Sequence, residues 1–158
     1  MELISDFALE QHAGPYESWG LSSRLLRNGV ATDVLLPGYV LEAQYRHSRG
    51  FLFLTSWDCP FEEALDIVTT AADLKILGRK RIGAPYASYW LESHEVLNER
   101  QVLLQSKGSP EFRVTVFPRL ILEARDNPGE NFKLAFGNGT PIPLLWRLHA
   151  LRQRFAGG

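Results

Sequence analysis

The sequence predicts a mainly β domain: an antiparallel meander of about eight strands, barrel or sandwich, followed by a C-terminal amphipathic helix. Three observations predict it. Short alternating or apolar runs recur from residue 38 to residue 136, separated by Gly, Pro, Asn and Asp turn signals. No segment between these runs is long enough for the crossover that parallel strands require, so neighbouring strands pair antiparallel. Beyond residue 141 the apolar period changes from two to that of a helix.

The elements follow in order. Residues 2–11 carry Leu3, Ile4 and Phe7 on one side of a short helical template, which predicts a helix that depends on tertiary contacts. HAGPYESWG, residues 12–20, reads as a loop. Asn28-Gly29 is a hairpin dipeptide, because both residues tolerate positive φ, and strands are expected on either side. GYVLEAQYRH alternates, placing Leu41, Ala43 and Tyr45 on one face and Glu42, Gln44 and Arg46 on the other. A turn over residues 47–50 leads to FLFLTSW, residues 51–57. Its first four positions are all apolar, as expected of a central strand covered on both faces.

Residues 64–70 and 74–82 read as a hairpin, with Leu65 and Ile67 facing inward opposite Leu74 and Ile76. Further strands are expected at 86–93, 100–106, 111–117, 119–125 and 131–136, the clearest having Phe112, Val114 and Val116 inward. In residues 142–155, Leu144, Leu148, Leu151 and Phe155 share one helical face, with Pro141 and Pro143 at the first turn. The whole, residues 1–158, reads as one domain.

Composition narrows the function classes. Seventeen basic and 18 acidic side chains leave a formal charge of −1, without the cationic surplus of a nucleic-acid binder. Even the run Arg79, Lys80, Arg81 is explained by an edge strand, where basic side chains block sheet-to-sheet pairing. One cysteine allows no intramolecular disulfide, and no window resembles a signal peptide or a membrane span, so a cytoplasmic location is expected.

Chemistry has few anchors. Cys59 needs a base, with His94 the best candidate, but Pro60 pushes its backbone towards extended conformations and no long helix follows. The acids Asp58, Glu62, Glu63 and Asp66 lack the spacing of a calcium loop, and a solvated turn accounts for them. Glu92-x-His94, with His47 as a third donor, is the only metal-like pattern, and no metal or other cofactor is expected. Aromatics are the most suggestive feature: nine Phe, five Tyr and four Trp. If the even positions of 86–94 face inward, Trp57, Asp58, Tyr86, Trp90 and His94 line a pocket; the opposite register buries Ala87, Tyr89 and Leu91 instead. The expected function is therefore non-enzymatic binding of a small apolar or aromatic ligand. The alternatives are a protein partner or second copy docking on helix 142–155, and an enzyme using Cys59 or Asp58, Glu62 and Glu63 with His94.

Overall fold

The computed structural model describes residues 1–59, 63–83, 87–106 and 109–125. The expected strand 131–136 and helix 142–155 lie outside the described residues. Those described form twelve strands, all paired antiparallel: β1 (Glu2–Leu3), β2 (Phe7–Leu9), β3 (Ser22–Arg27), β4 (Val30–Pro37), β5 (Val40–His47), β6 (Gly50–Ser56), β7 (Leu65–Ala71), β8 (Ile76–Ile82), β9 (Leu91–Asn98), β10 (Gln101–Ser106), β11 (Glu111–Thr115) and β12 (Ile121–Arg125).

They divide into three sheets, ordered β1-β5-β6-β7-β8, β2-β3-β4 and β9-β10-β11-β12. Among the described residues, no sheet closes into a barrel. The five-stranded sheet is the middle layer, because its two faces feed two separate cores. Ala43, Tyr45, Leu52, Leu54 and Ile67 meet Val102, Leu104, Phe112 and Val114 of the four-stranded sheet. Phe51, Phe53 and Val68 meet Phe7, Leu25 and Leu36 of the three-stranded sheet. The run FLFL is thus covered on both faces, as its composition predicts, and every residue of β6 is buried.

Several expectations need correction. Residues 2–11 are not helical: they form β1 and β2 at the edges of two different sheets. The cause is tertiary. The Gln44 side chain accepts from the Phe7 N–H (2.9 Å) and donates to the Phe7 carbonyl (2.8 Å), so it holds this short segment extended as a neighbouring strand would. Leu65 and Ile67 do face one core together, but Leu74 and Ile76 belong to the other. The 38–46 alternation is broken at Glu42, where the β5–β6 pairing shifts register. Leu41 consequently lies against the Phe51–Phe53 core, while Ala43 and Tyr45 lie against the opposite one. The acids do not all sit in a solvated turn, since Glu63 is 1% exposed and Asp66 5%.

The Asn28-Gly29 hairpin forms as expected, with φ of 49° and 78°. Phe112, Val114 and Val116 are all buried. Gly38, with φ of 85°, lies so close to β6 that a Cβ would stand 2.3 Å from the Ser56 carbonyl oxygen. Only glycine lets the β4–β5 turn approach in this way, and that approach positions the next residue, Tyr39.

Candidate functional site

β6 ends at Ser56 and the chain leaves the central sheet at Trp57. Strand parity puts Trp57 on the Phe51–Phe53 face, beyond the end of that core. Five rings gather there, and none of them belongs to either core. Tyr39 is the hub: its ring stands edge-to-face with His12 (5.2 Å between centroids), Tyr16 (5.8 Å), Trp19 (5.2 Å) and Trp57 (5.4 Å). This is the geometry preferred by the ring quadrupoles. His12 also stacks on Trp19 at 5.3 Å.

Local hydrogen bonds fix the rings. Trp19 Nε1 donates to the Gly14 carbonyl (3.1 Å), folding the 14–19 segment over a short 3-10 turn, Tyr16–Ser18. Ser23 Oγ donates to the Gly38 carbonyl (2.7 Å), so the hydroxyl has its lone pairs left for His12 Nε2 at 2.9 Å; His12 therefore carries its proton on Nε2. His12 also forms part of the wall of a cleft of about 280 Å3, together with Glu10, Ser22, Arg24 and Leu35.

Charged groups underlie the Trp57 end. Asp66 accepts from Arg81 Nε (2.8 Å) and Nη2 (2.7 Å), and also from Trp57 Nε1 (2.8 Å). The Arg81 guanidinium carbon lies 5.0 Å from the centre of the Trp57 ring. Arg81 Nη1 is buried and has no hydrogen-bond partner among the described residues. The buried Glu63 carboxylate accepts from the backbone N–H groups of Trp57 (2.6 Å), Cys59 (2.8 Å) and Ala64 (3.1 Å). It organises the chain from within, a role typical of a carboxylate that gathers several backbone donors. Partial burial pushes the Tyr16 hydroxyl up to about 12, reinforced by Tyr39, Cys59, Glu63 and Asp58; burial raises Tyr39 as well.

The residues anticipated from sequence are distributed unevenly. Trp57 is part of the cluster. Asp58 follows it, exposed, with a φ of 53° that aspartate tolerates better than most residues. Trp90 is 44% exposed. Tyr86 lies outside the described residues. His94 lies on β9 of the four-stranded sheet, which covers the opposite face of the central sheet, and its Nδ1 and the Tyr45 hydroxyl form a short hydrogen bond. Both registers considered for 86–94 occur in part. Ser106 pairs with Leu91 and Gln105 with Ser93, leaving Glu92 as the extra residue of a bulge, so Tyr89, Leu91 and His94 all turn inward.

Sequence reasoning missed His12, Tyr16, Trp19 and Tyr39. The available signal was the aromatic content of the loop HAGPYESWG and the Gly38-Tyr39 pair after Pro37. Among the described residues, no group of three His, Cys, Asp or Glu side chains could hold a metal ion, and no hydrogen bond joins Cys59 to a histidine. No described helix is long and apolar enough to cross a membrane. Compared with protein-family models, with curated proteins and with solved structures, the chain matches none.

Proposed function

We propose that the protein is a non-enzymatic binding module that takes a small ligand with an apolar or aromatic ring on the Tyr39-centred cluster. The observation that carries this reading is the gathering of His12, Tyr16, Trp19, Tyr39 and Trp57 outside both cores. Ligand sites pair aromatic walls with a few placed polar groups. Here the partly exposed Arg81 guanidinium beside the Trp57 ring supplies such a group, and it favours a ring bearing an oxygen acceptor. A cytoplasmic setting belongs to the same proposal and rests on the single free cysteine.

The test uses the indole N–H resonances of the four tryptophans, assigned by single Trp→Phe substitutions. The full chain is titrated with p-cresol and 4-hydroxybenzoate at millimolar concentrations, the range in which such fragments bind. The Trp19 and Trp57 signals move, more with the carboxylate-bearing probe, while Trp90 stays still. Tyr39→Ala abolishes the response. Shifts that persist in Tyr39→Ala, or an absence of shifts with both probes, would overturn the proposal.

A further inference from the structure

At the other end of β6, and on its other face, a different cluster forms. Arg49 lies in the β5–β6 turn and Arg100 in the β9–β10 turn, so they come from two different sheets. Both meet on one ring: their guanidinium carbons stand 5.2 Å and 5.0 Å from the centre of Phe117. Both are exposed, and neither forms an ion pair with an acid among the described residues. Stacking of guanidinium on an aromatic face is favourable. Two like charges drawn to the same ring nevertheless repel, and a bound anion offsets that cost.

Phe117 and Arg100 also line a concavity of about 580 Å3 with Asn98, Gln101 and Thr115. Its polar wall is already ordered. Asn98 Oδ1 accepts from the Arg100 N–H (2.9 Å), Asn98 Nδ2 donates to Gln101 Oε1 (3.0 Å), and Gln101 Nε2 donates to Thr115 Oγ1 (3.1 Å). The Thr115 hydroxyl proton is thereby left for a ligand. Glu99, beside Arg100 in the turn, is the one acid of this wall. Behind Phe117 lies His47, 8% exposed, its ring 5.7 Å away. Its Nδ1 accepts from the Arg49 N–H (3.2 Å), so the neutral ring carries its proton on Nε2. Burial lowers the His47 pKa, with the N-terminal ammonium and Arg49 adding to the effect; that ammonium donates to the Asn98 carbonyl (3.4 Å), so the positive charge of the cluster comes from the two arginines and the Met1 amino group.

We infer that Arg49 and Arg100, stacked on Phe117 beside the Thr115 hydroxyl, form an anion site for the phosphate group of a small phosphate monoester. A single arginine fork satisfies both oxygens of a carboxylate. Two forks approaching from separate turns match the three terminal oxygens and near-double charge of a phosphate monoester.

The test is calorimetric titration of the full chain with phenyl phosphate, inorganic phosphate and benzoate. Both phosphates bind and benzoate binds more weakly. Arg49→Ala and Arg100→Ala each weaken phosphate binding roughly tenfold, the usual worth of a charge-assisted contact. The double variant binds neither phosphate, with an unchanged melting temperature. Arg100→Lys keeps the charge without the planar fork and falls between wild type and Arg100→Ala, which guards against a folding artefact. Equal affinity for the two phosphates assigns recognition to the anion alone, and tighter phenyl phosphate extends it to the concavity; either supports the site. Benzoate binding as tightly as phosphate, or wild-type affinity in the double variant, overturns it. Because none of these residues touches the Tyr39 cluster, failure here leaves the proposed function standing.

Discussion

The two faces of the central sheet solve the same problem differently. On the face of Leu52 and Leu54, a four-stranded sheet seals a long aliphatic core, with Tyr45 wholly buried within it. On the face of Phe51 and Phe53, a smaller sheet covers a smaller core, and its coverage gives out before Trp57. There loop aromatics and charged groups take over from aliphatic packing. The lesson is that where a layer is too short for the sheet it covers, rings and a buried ion pair close the end in place of aliphatic side chains.

Four perturbations break or sharpen this contrast, in decreasing order of effect. Asp66→Ala removes the acceptor of both Arg81 and Trp57 at the aromatic end. It leaves a mostly buried guanidinium unpaired, and denaturant titration should show a loss of about 3–5 kcal/mol. Titration of Tyr45 comes next, on the sealed face. Burial raises its hydroxyl from 10.0 to about 12, so the folded chain holds this proton after the unfolded chain has lost it. Its contribution is complete below pH 10 and drains away as pH rises from 10 towards 12, by at most about 2–3 kcal/mol. Unfolding free energies at pH 9 and 11 should therefore differ less in Tyr45→Phe than in the wild type.

Gly38→Ala places a methyl against the Ser56 carbonyl and forces a positive φ on alanine. The expected cost is about 1–3 kcal/mol, accompanied by loss of ring-current shifts from Tyr39 on the Trp19 and Trp57 indoles. The smallest effect belongs to Trp90→Ala. This side chain is part of neither face's core, and thermal melts should stay within about 0.5 kcal/mol of wild type. A larger loss would mean that Trp90 covers one of the faces after all.

What the sequence by itself determined is local. Period-two alternation marked Phe112, Val114 and Val116 as inward, Asn28-Gly29 marked a hairpin, and four consecutive apolar residues marked β6 as covered on both sides. Each follows from steric rules acting within a few residues. Only the tertiary structure decided the rest. Bulges at Glu42 and Glu92 exchanged faces within single strands, and a one-residue shift in pairing leaves no mark on composition. Gln44 overrode a helical pattern at Phe7 from 37 residues away. Glu63 became a buried anchor because backbone donors of its own loop converged on it. Tyr39 comes to Trp19, and Arg49 and Arg100 come to one Phe117 ring, only because segments far apart in sequence converge in space. Strand identity is a property of neighbours in sequence; these side-chain clusters are a property of neighbours in space, created here by how three sheets of unequal size stack.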